Sequence, residues 1–374
     1  MNELGTILMA LGLLLNIYAL FAVLIGIRRG DRRFLDSGKG GIGALALVST
    51  VGIAILAYQF LSNDFSNNYV FNHSSSDLST FYRFSALWAG NEGSLLLWEW
   101  LLVVYAAVAA YFPHREAEDL IPYVNAVVLG INLFFMFILN FVTLPFATLN
   151  PVPAQGMGLN PLLQDPGMVI HPPTLYAGYV GFAIPFAYAM AALFTRKVSD
   201  IWIKVTRRWT LWAWLFLSVG IIFGAQWAYV VLGWGGYWAW DPVENASLLP
   251  WLTGTAFLHS VMIQERRGML KVWNVMLIIV TFLLTVFGTF LSRSGVLASV
   301  HAFSDTTLGM WFLIFMGTTL AASLYLAFDR LPLLKEENQF ESILSKESSF
   351  LLNNVLLVGS AFAVFWGTIF PLIS

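Results

Sequence analysis

The sequence predicts an all-α, polytopic transmembrane bundle of about ten helices. Of its 374 residues, 58% are hydrophobic and 11% are charged, and the mean hydropathy is +0.74. A soluble domain of this length needs far more charged surface to face water. The chain also contains ten apolar stretches of about 20 residues, the length that an α-helix needs to cross a bilayer.

The predicted spans follow one another along the whole sequence, so we expect a single transmembrane domain over residues 1–374. Their approximate bounds are 5–27, 41–62, 86–112, 120–142, 174–194, 210–232, 242–264, 273–291, 310–328 and 350–373. An even number of spans places both termini on the same side of the membrane.

The placement of the 19 Lys and Arg residues predicts the orientation of the bundle. When the loops are assigned alternately to the two sides, 17 of these residues fall on one side, in segments 28–40, 113–119, 195–209, 265–272 and 329–349. The other side keeps only Arg83 and Arg293. Since loops rich in Lys and Arg remain in the cytoplasm, we expect both termini on the outer face of the cytoplasmic (inner) membrane.

The outer loops differ from the short, basic cytoplasmic connections. Segment 63–85 is polar, and segment 143–173 contains many Pro and Gly residues, which predicts an irregular but constrained loop. A functional site is therefore expected in the outer loops and in the helix ends that they join.

The segment WGGYWAWDPVENASLLPW, residues 234–251, is named here the Trp-rich segment. It contains five aromatic residues, namely Trp234, Tyr237, Trp238, Trp240 and Trp251. Rings of this kind also collect in the aromatic belt at a membrane surface. A belt does not require Gly235 and Gly236 between the rings, however. Stacked rings suit the face of a flat apolar porphyrin, and a glycine pair allows the backbone to approach it. We favour a ligand platform over a belt.

The Trp-rich segment also contains a helix-start pattern. Asp241 at the N-cap, Pro242 at the first helical position and Glu244 at the third form a capping-box pattern. We therefore expect the two carboxylates to start the next helix, and a catalytic role is the less favoured alternative.

Two histidines lie on the same predicted face as the Trp-rich segment. His171 closes the Pro-rich outer loop ahead of the fifth span, and His301 lies in the outer loop after the eighth. Two imidazoles from opposite loops could occupy the two axial positions of one haem iron. Haem propionates need cations, and the outer face offers Arg293 and Arg83, of which we favour Arg293.

The remaining histidines fall into two classes. His259 lies inside a predicted helix, where it is either a ligand or the partner of an interhelical hydrogen bond, and the residues alone leave both open. His73 and His114 lie in polar loops and are expected to be solvated.

The Trp-rich segment resembles the "WWD" signature of the haem-handling proteins of cytochrome c maturation. Segments LWAGNEGSLLLW (87–98) and FLSRSGVLASVHAF (290–303) are similar to the CcmF branch of that family. Tyr237 stands where Trp is common in the signature, which is a mild exchange. The resemblance covers the whole chain and only the N-terminal part of the family's length.

The resemblance implies a haem lyase component that acts within a complex. Such a protein accepts haem b from a haem chaperone, holds it at the WWD loop between two outer histidines, here His171 and His301, and helps to attach it to apocytochrome c. The family also has a second b-type haem in the membrane, and one of its ligands maps onto His259. The competing function is a haem transporter or exporter, which should show paired inverted repeats with broken helices.

The family extends beyond the C-terminal end of this sequence, where the second ligand of the b-type haem is expected. We expect the missing portion to be a separate polypeptide or the chain to be truncated. In either case, this chain alone is expected to bind the b-type haem weakly or not at all.

Overall fold

The computed structural model describes residues 1–303, 306–335 and 346–374. These residues form thirteen α-helices and no β-strand. The helices are α1 (Asn2–Arg29), α2 (Arg32–Leu61), α3 (Asn68–His73), α4 (Thr80–Ser85), α5 (Asn91–Tyr111), α6 (Ile121–Phe141), α7 (Pro166–Gly181), α8 (Ala183–Thr195), α9 (Ile201–Val231), α10 (Pro242–Arg267), α11 (Lys271–Ser294), α12 (Thr306–Asp329) and α13 (Lys346–Ile369). Short 3₁₀ helices cover Ala86–Trp88, Arg115–Leu120, Pro161–Leu163, Leu331–Leu334 and Phe370–Leu372.

The predicted fold class is confirmed. Within the described residues, ten helical stretches are long and apolar enough to cross a membrane. They correspond one to one with the ten spans predicted from sequence. The largest differences in bounds are at the second, fifth and sixth spans, which begin at Arg32, Pro166 and Ile201. Charged residues continue α2 beyond the bilayer-length apolar stretch, so hydropathy alone places its start too late.

The chain divides into two compact units, which are described separately. Unit 1 comprises Met1–Phe112, Asn125–Ala177 and Ile222–Trp238. Unit 2 comprises Pro113–Val124, Gly178–Ile221 and Ala239–Ser374. The single transmembrane domain expected from the sequence remains a prediction.

In unit 1, α1 and α2 form a tight helical hairpin. Asp31 caps α2 by accepting a hydrogen bond from the Arg33 amide, 2.9 Å away. Small residues let the two backbones approach closely: a Cβ on Gly41 would lie 2.8 Å from the Ala19 Cβ. Close approach through small residues is typical of helices that pack within lipid, where there is little hydrophobic drive between helices.

Segments 63–85 and 143–173 of unit 1 support each other through backbone bonds. Met157 donates to the Phe71 carbonyl at 2.8 Å, and Gly158 donates to the Ser74 carbonyl at 3.0 Å. The first part of segment 143–173 is therefore irregular but constrained, as predicted. Its last part is helical, because α7 begins at Pro166.

In unit 2, α10 packs against α11 and α13, and α11 also packs against α8 and α12. The Phe186 and Phe282 rings stack with centroids 4.4 Å apart. The Thr281 hydroxyl donates to the Thr253 hydroxyl at 2.9 Å, which satisfies a polar group inside the apolar core. These contacts fix α10, the helix that follows the irregular part of the Trp-rich segment.

The orientation predicted from charge can be tested by cysteine labelling, because the sequence contains no cysteine. Ala239 and Ser199 are both exposed, the first before α10 and the second between α8 and α9. In intact spheroplasts, Ala239→Cys should react with a membrane-impermeant maleimide, and Ser199→Cys should react only after lysis. The opposite labelling pattern would show that the Trp-rich segment faces the cytoplasm.

Candidate functional site

The first part of the Trp-rich segment is an irregular loop between α9 and α10 that leaves large rings exposed. Trp240 is 62% exposed, Tyr237 is 58% exposed and Trp234 is 36% exposed. Gly235 has a φ of 69°, the left-handed conformation that a side chain disfavours. Apolar rings of this size are suited to covering the face of a flat apolar ligand.

The portion of this loop within unit 1 is held by contacts near the end of α9. The Trp234 indole donates to the Gly236 carbonyl at 3.0 Å. The Tyr237 ring stacks on Tyr229, with centroids 4.4 Å apart and planes within 12° of parallel. Trp251, by contrast, lies inside α10 and stacks on Trp214. It therefore contributes to helix packing rather than to the loop.

The portion within unit 2 is held by the start of α10. The predicted capping box is confirmed: the Asp241 side chain accepts from Val243 N at 2.9 Å. In return, the Glu244 carboxylate accepts from Asp241 N at 3.2 Å. Glu244 also accepts from Ala239 N, so it fixes the loop two residues before the helix cap.

Asp241 also holds His301. Its Oδ1 atom lies 3.1 Å from His301 Nδ1 and accepts from the Ser299 hydroxyl at 2.8 Å. Burial acts to raise the pKa of Asp241. The hydrogen bond and the charge of His301 oppose this, as do the hydrogen bonds from Ser299 and Val243, and the pKa of Asp241 is below its usual value. Since an ionised carboxylate can only accept, Nδ1 of His301 carries a hydrogen. A carboxylate that orients one imidazole nitrogen in this way is a common partner of metal-binding histidines.

Sequence reasoning missed this contact. His301 was predicted in the loop after the eighth span, and the structure confirms that position, after the end of α11. Its partner is 60 residues away along the chain. The only available signal was that the sequence predicted Asp241 and His301 at helix ends on the same side of the membrane.

His171 lies inside α7, not in the loop that the sequence predicted. The Asp165 carboxylate accepts from Gly167 N at 2.7 Å, ahead of Pro166, and this starts the helix early. Pro172 has no N–H to give to the Met168 carbonyl. The Trp88 indole donates to that carbonyl instead, at 3.0 Å, so the helix continues through the prolines. The missed signal was an Asp-Pro pair, the same start pattern as at residues 241–242.

The His171 ring packs closely against α9 within unit 1. A Cβ added at Gly224 would lie 2.5 Å from His171 Cε1. Glycine at this position therefore makes room for the imidazole. Any larger residue would displace the ring or the helix.

His259 has the interhelical hydrogen bond that the sequence left open. Its Nδ1 atom lies 2.9 Å from the Asn353 amide nitrogen on α13. Its ring also contacts Phe350, with centroids 6.0 Å apart. The ligand role of His259 remains a prediction.

The two candidate propionate partners both contact residues that lie close to them in sequence. Arg83 donates from Nε to the Leu78 carbonyl at 2.8 Å and from Nη2 to the Ser76 carbonyl at 3.0 Å. Arg293 is buried at the end of α11, with its guanidinium carbon 5.7 Å from the centre of the Phe303 ring. Their role as propionate partners remains a prediction.

The expectation of two solvated histidines is right for His114 and wrong for His73. His114 is exposed at the start of a 3₁₀ helix. His73 Nδ1 lies 3.0 Å from the Tyr69 carbonyl, and the two rings are 4.5 Å apart. Burial lowers the pKa of His73 despite this backbone bond. The polar composition of segment 63–85 gave no indication that the His73 ring packs against Tyr69.

Comparisons with known proteins agree with the resemblance stated above. Residues 88–297 match the family model described as "Cytochrome C assembly protein". The chain is 42% identical to the "Cytochrome c-type biogenesis protein CcmF" of Haemophilus influenzae and 43% identical to that of Escherichia coli. In both cases the match covers 99% of this chain and 57% of the relative, so the chain spans little more than half of their length.

A solved structure is also similar. The "Cytochrome c Heme Lyase CcmF" superposes with a TM-score of 0.84 at 35% identity, over 99% of this chain and 56% of that one. The fold and the sequence therefore point to the same group of proteins.

Asp241→Ala should destabilise the protein, because it removes the α10 cap and the acceptor of the Ser299 and His301 bonds. An N-cap contributes about 1 kcal/mol, so the melting temperature of the purified protein in detergent should fall. Asp241→Asn is the matched control, since Asn caps helices about as well as Asp. Equal melting temperatures for Asp241→Ala and the unmodified protein would contradict the assigned contacts.

Proposed function

Because the chain belongs to the cytochrome c assembly protein family, we propose that it is a haem-handling membrane subunit of cytochrome c maturation. It would hold haem at the Trp-rich segment for covalent attachment to apocytochrome c. The observation that supports this most is the contact between Asp241 and His301. The exposed ring of Trp240 directly precedes Asp241 in the sequence.

The residues present fit a haem. An imidazole is a common axial ligand of haem iron, and a carboxylate on its other nitrogen fixes the ring and raises its basicity. His301 has such a carboxylate in Asp241. Trp240 directly precedes this carboxylate in the sequence, so an apolar ring and an oriented imidazole occur at one helix start.

His171 is proposed as the second axial ligand. Its ring is held against Gly224, where a glycine makes room for it. This part of the proposal rests on the environment of His171 and on the family resemblance. Arg293 and Arg83 are proposed to contact the propionates, together with a platform formed by Trp234, Gly235, Gly236, Tyr237, Trp238 and Trp240.

The attachment reaction is an addition. Each thiol of a Cys-x-x-Cys-His segment adds its S and H across one vinyl double bond of the substrate haem, so no atom leaves. The proposed task of this chain is to hold the iron between His301 and His171, to keep water from the porphyrin face with its rings, and to present the vinyl edge to the apocytochrome. A haem chaperone would supply the haem, and a C-terminal CcmF-like portion or other maturation subunits would complete the complex.

The site is proposed to face the periplasm or the cell exterior, from the cytoplasmic membrane. The 17 to 2 distribution of Lys and Arg supports this orientation. A second b-type haem at His259 is proposed from the family resemblance alone.

His171→Ala and His301→Ala should each remove most of the haem that the purified protein retains. The double variant should retain about as much haem as either single variant. Two ligands that act on one iron give non-additive losses. Haem per protein is measured as the pyridine haemochrome, in protein from cells that contain the complete maturation pathway. Gly224→Leu should reproduce the His171→Ala loss with the imidazole present, because it displaces the ring.

His114→Ala is the control, since its side chain is exposed and remote in sequence from the proposed site. Mild losses that simply add in the double variant would refute the shared iron.

The two possible roles of His259 predict different results for the variants His259→Ala and Asn353→Ala. If it is a haem ligand, His259→Ala should remove a b-type spectrum from the purified complex, while Asn353→Ala should retain it. If it only bonds to Asn353, the two variants should lower the melting temperature alike and leave the haem spectrum unchanged. Dithionite-reduced spectra of both variants decide between these outcomes.

A further inference from the structure

A polar cluster lies in the middle of unit 1, among residues that the proposed haem site does not use. Glu99 on α5, Ser49 on α2, Asn132 on α6 and Asn16 on α1 are all buried. Each lies near the middle of its own helix, so the four occur at the depth of the bilayer centre. Ionisable residues at this depth are costly and usually have a function.

Hydrogen bonds join the four helices through this cluster. Glu99 Oε1 accepts from the Ser49 hydroxyl at 3.0 Å and from Asn132 Nδ2 at 3.3 Å. Asn132 Nδ2 also donates to Asn16 Oδ1 at 3.1 Å. Asn16 in turn donates to the Leu129 carbonyl at 3.1 Å. One carboxyl oxygen therefore receives two donors, as a neutral carbonyl oxygen can.

No Lys or Arg lies near the middle of these four helices to pair with a carboxylate. Apart from Glu99, their charged residues occur near the helix ends, namely Glu3, Arg28, Arg29, Arg32, Arg33, Asp36, Lys39 and Glu92. The other titratable groups on them are the tyrosines Tyr18, Tyr58, Tyr105, Tyr111 and Tyr123. An ionised Glu99 would thus be an unpaired charge buried inside the membrane, which is strongly unfavourable.

Two buried oxygens of the cluster have no hydrogen-bond donor among the described residues. They are Glu99 Oε2 and Asn132 Oδ1. Both belong to side chains that are already joined through Oε1 and Nδ2. A single hydrogen on Oε2, donated to Oδ1, would satisfy both atoms and close a cyclic acid–amide pair.

We propose that Glu99 is a proton-binding site: a neutral carboxylic acid that donates to Asn132 and ties α1, α2, α5 and α6 together. The proton on Glu99 is therefore part of the hydrogen-bond network that holds these four helices together. Its removal would leave an unpaired anion and two buried acceptor oxygens without a donor.

Infrared spectroscopy of the purified protein tests this directly. The carbonyl stretch of a protonated carboxylic acid is separate from the amide and carboxylate bands and shifts in D₂O. At neutral pH the unmodified protein should show this band, Glu99→Gln should lack it, and Glu116→Gln should retain it. Glu116 is an exposed carboxylate and serves as the matched control.

Two further variants keep the proposal falsifiable if Glu99→Gln does not fold. Asn132→Ala should retain the band at a shifted frequency, because the acid loses its acceptor. Glu99→Asp should also move the band rather than remove it. A band unchanged in Asn132→Ala would refute the acid–amide pair.

A metal cation is the alternative occupant. If the unmodified protein shows no protonated carboxyl band and its melting temperature falls when Na⁺ is replaced by choline, a bound cation satisfies the two oxygens. That result would overturn the proposal.

Discussion

The structure depends on one constraint: in lipid, every backbone N–H and C=O must find its partner within the protein. In the part of the chain that the structure describes, ten long helical stretches meet most of this requirement by backbone bonds of their own. Where a helix cannot do so, a side chain supplies the missing group. At Pro172 the indole of Trp88 donates to the Met168 carbonyl, and α7 continues through two prolines. His171 directly precedes these prolines, so it lies on a helix that Asp165 starts and that this side-chain donor helps to continue.

The sequence was sufficient for features that depend on nearby residues. Hydropathy located the ten spans, and the capping box at Asp241 could be identified from residues three apart. It was insufficient where the partner is distant. The continuation of α7 past His171 depends on Trp88, which is 80 residues from Met168. The contact between Asp241 and His301 spans 60 residues. The hydrogen bond of His259 reaches Asn353 on another helix. A polar loop composition also concealed the packing of His73, since composition describes a segment on average and packing concerns one side chain.

Asp241 combines two tasks that are often separate. It starts α10 and it orients His301, and both tasks use the same oxygen, Oδ1. The position of the imidazole is therefore tied to the start of a membrane helix rather than to a mobile loop. Sites supported by regular elements are held more precisely than sites on loops alone. The backbone just before Asp241 is fixed by the same helix start. Glu244 accepts a hydrogen bond from the Ala239 amide, and Asn245 donates one to the Trp240 carbonyl.

Trp240 has a φ of 59°, a left-handed conformation that costs a residue with a side chain roughly 1 kcal/mol or more. Its ring is 62% exposed, so burial within the chain returns little of that cost. Glycine at this position would relieve the strain. A library selected only for yield or heat resistance would therefore accumulate glycine at residue 240. The most stable protein from such a selection would lack the Trp240 ring, and a stability measurement would not reveal that the ring is missing.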